Sequence, residues 1–278
     1  MTVPEKLLVF IPCYNCAAQI GRVLSQFKGP LAQRFAEILV LDNGSKDGTR
    51  EAAIQAAPNA EVARVTIARN RDNYNLGGSH KAAFAYAESN GFSHVVVLHG
   101  DDQGSIADLA PVLASNQHLQ HDACLGARFA KGSVLRGYSS FRIFGNHVFN
   151  LLFTAGARRR VLDLGSGLNI FGAGVFTDPA LLRYADDLRF NVFLLLGMFD
   201  AGRSILFFPI SWREDDQVSN VKMTSQALKT LAILRDYCLR PAHFRRTDFR
   251  ATTHASYRFD VIHSAARDAA PAPVAVAP

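Results

Sequence analysis

The stretch His94–Gln103 reads H-V-V-V-L-H-G-D-D-Q. Its apolar part does not alternate with polar residues, as a strand with one wet face would. It therefore fits a strand buried on both sides, the kind found in parallel sheets sandwiched between helices. The run stops at His99-Gly100-Asp101-Asp102, which sets carboxylates at the carboxyl end of a strand. Open α/β sheets bind their ligands at those ends.

The same grammar recurs towards the N-terminus. Lys6–Ile11 is an apolar run closed by Pro12, and Glu37–Leu41 is a second one running into the turn-rich D-N-G-S-K-D-G. Val62–Ile67 is a third. Between them, Ala17–Phe27 has helical spacing (Ile20, Val23, Leu24 and Phe27 on one face), and Thr49–Ala57 and His80–Ser89 also read as helices. Polar clusters fall at the predicted strand ends: Tyr14-Asn15, Asp42-Asn43, Asn73–Gly78 and His99–Gln103. Beyond Gln103 the pattern loosens. Helices are expected at Ile106–Leu113, Phe141–Phe153, Phe190–Ala201 and Ser225–Arg240, and strands at Ala123–Ala127, Leu164–Phe171 and Ser204–Pro209. From about Pro241 the chain turns basic, and Ala265–Pro278 is rich in Ala and Pro, the composition of a disordered tail. The expected fold class is α/β, with a mostly parallel central sheet and helices on both faces.

Of 278 residues, 49% are hydrophobic and 19% charged, which suits a globular core. Lys and Arg number 30 against 24 Asp and Glu, a net charge of +6 that favours anionic partners. No stretch of 18 apolar residues occurs, so no transmembrane helix is expected. Met1–Glu5 carries no secretory pattern, and the expectation is a cytoplasmic protein with reduced thiols. Cys13 and Cys16 form a C-x-x-C, but no second pair exists to complete a zinc site. The basic residues around Arg235–Arg250 match no nucleic-acid module, and no nucleic-acid partner is expected.

Hard divalent cations such as Mg2+ or Mn2+ take oxygen ligands, commonly one or two carboxylates completed by substrate phosphates. Asp101 supplies a carboxylate, Gln103 a carbonyl oxygen, and His99 a nitrogen acceptable to Mn2+. An Asp pair also suits the start of a helix, so these residues alone leave a capping role open.

Several blocks together resemble glycosyltransferase family 2, and within it the polyprenyl-phosphate (dolichyl-phosphate mannose synthase-like) sugar transferase branch. I-P-C-Y-N at Ile11–Asn15 is similar to the family's I-P-x-Y-N, and L-D-N-G-S-K-D-G-T at Leu41–Thr49 to its V-D-D-G-S-x-D-G-T. Asn70–Asn73 with the following N-L-G-G-S-H-K resembles its glycine-rich turn and helix, and L-H-G-D-D-Q at Leu98–Gln103 its metal motif. D-L-G-S-G-L-N at Asp163–Asn169 lies where the branch has D-x-T-S-G-F-R, and Pro209–Lys222 resembles its closing segment. The blocks keep the family's order over residues 6–240.

The resemblance implies a GT-A type, Rossmann-like nucleotide-diphospho-sugar transferase fold. Residues 1–240 would form the catalytic domain, with a nucleotide-binding half to about 103 and an acceptor half over 104–240, and 241–278 a tail. It implies donor contacts from Pro12, Tyr14, Asn15, Asp42, Asn43, Lys81, Gly100 and Asp101, with Asp101, Gln103 and His99 at the metal. Arg128 would meet an acceptor phosphate. Glu214, Asp215 and Asp216 are candidate general bases, needed only if the acceptor is a hydroxyl. The implied activity is inverting, metal-dependent transfer from a nucleotide sugar to a polyprenyl phosphate. The alternatives are transfer to a glycan or small-molecule hydroxyl in cell-surface polysaccharide synthesis, and a catalytically degenerate nucleotide-binding protein. Departures from the family pattern at Asn43, His99, Asn169 and Asn191 motivate the alternatives. Finally, Phe141–Phe153 beside Arg158-Arg159-Arg160 suits peripheral contact with an anionic membrane, on the cytoplasmic face of an inner membrane.

Overall fold

A computed structural model describes residues 5–214 and 223–267. Strands β1 (Leu7–Cys13), β2 (Phe35–Asp42), β3 (Arg64–Asn70) and β4 (His94–Leu98) pair in parallel in the order β3-β2-β1-β4. They are linked by helices α1 (Ala17–Ser25), α2 (Thr49–Ala56) and α3 (Asn75–Ser89). The chain therefore builds outwards from β1 on one side and then returns to its other side with β4. That reversal opens a crevice at the carboxyl ends of β1 and β4, the standard ligand position in such sheets.

The sheet continues through β7 (Leu168–Gly172), β5 (Ala123–Ala127) and β8 (Ile205–Pro209). β7 lies antiparallel between β4 and β5, so Asn169 pairs with Val97 on one side and Leu125 on the other. A separate two-stranded parallel ribbon pairs β6 (Val134–Arg136) with β9 (Ser211–Arg213). The remaining long helices are α4 (Ser140–Ala157), α5 (Phe190–Asp200) and α6 (Met223–Leu239), followed by the short α7 (Pro241–Arg246).

Two apolar cores lie on the two faces of the sheet. Along β1, Leu8 and Phe10 enter one, and Leu7, Val9 and Ile11 the other, all fully buried. Burying each such side chain contributes about 1.5–3 kcal/mol, so this strand, continuously apolar in sequence, is among the best anchored.

Four expectations need correction. β1 does not stop at Pro12: Pro12 pairs with Leu41 and the strand reaches Cys13. This is permitted because pairing with β4 has already ended at Phe10, so no ladder bond is asked of the missing N–H, while the Pro12 carbonyl accepts from Gly100 N–H at 3.1 Å. The helix expected from His80 begins at Asn75 and takes Gly77 and Gly78 into its first turn, where Asp186 O accepts from Gly77 N–H at 2.6 Å. The strand expected from Leu164 starts only at Leu168, because Asp163–Gly165 are engaged with Arg128. The stretch set apart as a tail from residue 241 instead provides α7 and the edge strand β10 (Phe259–Ala266), antiparallel to β3. Residues 268–278 lie outside the described residues. No helix among the described residues is long and apolar enough to cross a membrane.

Candidate active site

At the mouth of β4 the two neighbouring aspartates have opposite fates. Asp102 adopts a left-handed backbone (φ 59°) and turns inward, 3% exposed. Its carboxylate accepts from Arg22 Nε at 2.6 Å, from Gln26 Nε2 at 3.0 Å and from the Arg213 guanidinium, while Arg213 Nε donates to its carbonyl at 2.8 Å. Asp102 thus ties β4 to α1 and β9. Asp101 stays at the crevice, half-buried, with Oδ1 accepting from Gln103 N–H at 3.3 Å.

Gly100 lets this turn sit close to β1. A Cβ there would come within 2.5 Å of Cys13 Sγ and 3.2 Å of Cys16 Sγ. The C-x-x-C is therefore packing for the turn: both thiols are buried, and the hydrogen bond with Cys16, together with burial, pushes the Cys13 thiol up and keeps it protonated.

His99 does not join Asp101. A side chain at Gly167 would collide with the His99 ring, and Gly167 O accepts from His99 N–H at 3.0 Å. The ring is wedged beside Trp212, and its Nε2 is enclosed without a hydrogen-bond partner. Burial, and then the nearby Arg128 charge, lower its pKa to about 4, so the imidazole is neutral at physiological pH. Among the described residues there is no group of three or more His, Cys, Asp or Glu able to hold a metal. Among the described residues that follow β4, Asp101 and Gln103 are half-buried and not enclosed as Asp102 is. That set fits a hard cation whose other ligands come from a bound diphosphate, and it does not fit a cation held by protein alone.

The residues expected at the donor divide in two. Tyr14 is 56% exposed at the end of β1, and Asn15 is exposed with φ 52°. Asn15 brackets the next loop, its N–H donating to Ser45 Oγ at 2.8 Å and its Oδ1 accepting from Lys46 N–H at 3.0 Å. Pro12 lies half-buried between them and the Gly100 turn. Asp42, by contrast, is fully buried and accepts from Ser45 N–H at 3.0 Å, which shapes the loop after β2. The Asn43 amide is also consumed internally: Nδ2 donates to Asn73 Oδ1 at 2.7 Å, and Oδ1 accepts from Asn70 Nδ2 and Tyr74 N–H, each at 2.9 Å. This explains an asparagine at 43, because the network needs a donor and an acceptor on one side chain.

Lys81 is corrected outright. It is 3% exposed, and its ammonium donates to Tyr184 O at 2.6 Å and Asp186 Oδ1 at 2.7 Å, with Tyr257 OH at 3.4 Å. Burial lowers its pKa against the opposing pull of Asp186. Lys81 clamps the chain around residues 184–186 and the C-terminal segment; it does not reach the crevice. Nothing in the sequence around Asp186 or Tyr257 pointed to this triad.

Arg128 lies beside His99 and over Trp212, with its guanidinium carbon 5.2 Å from that ring. Its fork is bound by Asp163, Nε to Oδ2 and Nη2 to Oδ1 both at 2.8 Å, and Nη2 also donates to Gly165 O at 3.0 Å. Burial opposes the charge, but Asp163 outweighs it and holds the guanidinium above its ordinary pKa. The outward edge is Nη1, 3.5 Å from Tyr138 OH. An incoming anion therefore meets one edge of Arg128, not the two-pronged fork, unless Asp163 gives way. Glu214 is paired with Arg142 at the start of α4. Asp215 and Asp216 lie outside the described residues.

The pattern of glycosyl transferase family 2 matches residues 8–181, more than half of the chain. The chain belongs to this family. Among curated relatives it is 27% identical over 184 residues to the glycosyltransferase AglJ of Haloferax volcanii, covering 65% of this chain and 55% of that one. It is 28% identical over 170 residues to the polyprenol monophosphomannose synthase of Mycolicibacterium smegmatis, covering 61% and 60%. The chain thus spans little more than half the length of these two relatives. Among solved structures, glucosyl-3-phosphoglycerate synthase of Mycobacterium tuberculosis superposes with a TM-score of 0.60 at 17% identity, covering 84% of this chain and 81% of that one. One structure of that synthase contains Mn2+, UDP-glucose and phosphoglyceric acid. These findings place the chain in glycosyl transferase family 2 and show a GT-A fold.

Proposed function

We propose that the protein transfers a sugar from a nucleotide-sugar donor to a polyprenyl phosphate, with inversion and with a divalent metal held at Asp101. The observation that carries the acceptor class is the pairing of the acidic groups. Asp102 is spent on Arg22 and Arg213, Asp163 on Arg128, and Glu214 on Arg142. His99 is neutral but enclosed. Asp102, Asp163 and Glu214 are thus each held in an ion pair, while Asp215 and Asp216 lie outside the described residues, and the similarity to polyprenol monophosphomannose synthase adds support for a lipid-phosphate acceptor. A phosphate acceptor needs no general base, since it arrives as an anion, and the guanidiniums of Arg128 and Arg142 suit it.

In this reading Tyr14 and Asn15 border the nucleoside, and the Asp42 and Asn43 networks fix the loop against which it lies. Asp101, with Gln103, holds Mg2+ or Mn2+. When bound, the metal would neutralise the charge that develops on the departing diphosphate. Arg128 directs the acceptor phosphate through its Nη1 edge, with Asp163 fixing the guanidinium plane. A phosphate oxygen then forms the bond to the anomeric carbon as the bond to the diphosphate oxygen breaks, which inverts that carbon.

The test is transfer of radiolabelled sugar from a panel of nucleotide sugars, with polyprenyl phosphate or free glycans as acceptor. Label entering the lipid fraction, metal-dependent and slowed about 100–1000-fold in Asp101→Ala, is expected. Label entering only hydroxyl acceptors would overturn the acceptor class.

A further inference from the structure

Helix α4 carries an apolar stripe on its outer face. Phe141 is 77% exposed, Phe144 67%, Val148 39% and Leu151 68%. With Ala155 and Arg158 they recur every three or four residues, so they line one face of the helix. The inner face is satisfied separately: Phe153 and Ala157 are buried, Asn150 Nδ2 donates to Leu162 O at 2.7 Å, and Gly156 packs on Leu234 of α6. The exposed stripe therefore adds nothing to the fold. Soluble surfaces seldom leave large aromatic side chains in such a continuous row without a use.

We infer that this face of α4 docks on an anionic lipid bilayer. The charge around it selects that occupant. Arg158 ends the stripe itself, and Arg160 is exposed two residues on. Arg159 is exposed as well, but its guanidinium donates to Arg203 O at 3.1 Å and lies over Phe199, so Arg158 and Arg160 carry the outermost charge. An apolar stripe flanked by arginines fits a helix lying in the headgroup region of an anionic leaflet.

The placement also serves the site. Arg142, one residue after Phe141, lies over Tyr138 at 4.5 Å, and the Tyr138 hydroxyl meets Arg128 Nη1. Phe129, next to Arg128, contacts His147 of α4 with ring centroids 5.4 Å apart. A bilayer under α4 thus lies two side chains from the arginine assigned to the acceptor phosphate, close enough for a headgroup to enter while its tail stays in the lipid. The docking inference builds on the polyprenyl-phosphate reading but is tested separately from it.

The experiment is co-sedimentation of the full chain with vesicles of phosphatidylcholine alone or mixed with phosphatidylglycerol. Salt-sensitive binding to the mixed vesicles only is expected. Phe141→Ser with Phe144→Ser and Leu151→Ser should weaken it more than about 100-fold. Arg158→Gln with Arg160→Gln should weaken it by roughly 30-fold. Circular dichroism and stabilisation by nucleoside diphosphate should stay unchanged in both variants, which separates lost docking from lost folding. The inference is overturned if the unmodified chain stays in the supernatant, if the serine variant binds equally well, or if the chain sediments as a dimer that Phe144→Ser dissociates. Vesicle binding without lipid-linked product would overturn the acceptor reading and leave the docking intact.

Discussion

Substituting the two adjacent aspartates should give opposite phenotypes. Asp102 has a side chain 1% exposed that accepts from Arg22, Gln26 and Arg213, the arginines being 50% and 45% exposed. Because those guanidiniums remain hydrated once freed, each contact is discounted to about 1 kcal/mol, and the neutral Gln26 bond to about half that. Alanine at a φ of 59° adds about 1 kcal/mol of backbone strain that an aspartate tolerates better. Asp102→Ala should therefore cost about 3 kcal/mol, lowering the melting temperature by roughly 5–10 °C. Asp102→Gly, which loses the same contacts without the strain, should be about 1 kcal/mol more stable than Asp102→Ala. Asp101 is half-exposed at the crevice, so Asp101→Ala should cost less stability than Asp102→Ala but lower kcat by a factor of about 100–1000. Thermal unfolding and a transfer assay on the same preparations read both. If Asp101→Ala is the less stable variant, or Asp102→Gly the less active, the division of labour argued from the geometry is wrong.

Three other outcomes follow from buried groups. Lys81→Met should destabilise by about 3–5 kcal/mol in urea unfolding, because it strands the Asp186 carboxylate in a site where both partners are buried; a loss below 1 kcal/mol would show that the clamp is dispensable. Asn43→Asp should cost about 1–3 kcal/mol. The backbone N–H groups of Tyr74 and Asn75 fix both amide orientations, so a carboxylate would put oxygen against Asn73 Oδ1, and unchanged stability would contradict this network. The imidazoles of His99 and His80 titrate near 6.5 when unfolded but, chiefly through burial, at about 4 and about 3 when folded. Between those values the unfolded chain holds more protons, so stability should fall as pH drops from 6.5 towards 4, by about 1.4 kcal/mol per unit for each imidazole; equal denaturant midpoints at pH 7 and pH 5 would refute it.

The sequence by itself determined the parts of this protein that are local. Continuously apolar runs located β1, β2 and β4, because a strand buried on both faces has no other composition open to it. The ordered motifs located the crevice, because polar residues directly after such strands must emerge at its carboxyl edge. Tertiary structure decided everything that depends on which side chain finds which partner. The motif resemblance singled out Asp101 and gave Asp102 no role; only the fold shows that Asp102 takes a left-handed turn and is held inward by Arg22, Gln26 and Arg213. Lys81 looked like a donor ligand until Asp186 and Tyr257, more than a hundred residues away, claimed its ammonium. Arg128 was legible as an arginine in the right block, but its capture by Asp163, which restricts how it can meet a phosphate, was not. Strand β10 was hidden for a similar reason: its exposed, mixed composition carries no burial signal, and it is held mainly by the backbone ladder of β3. Periodicity records how much of a side chain is buried; it does not record the partner, and the chemistry of this site lies in the partners.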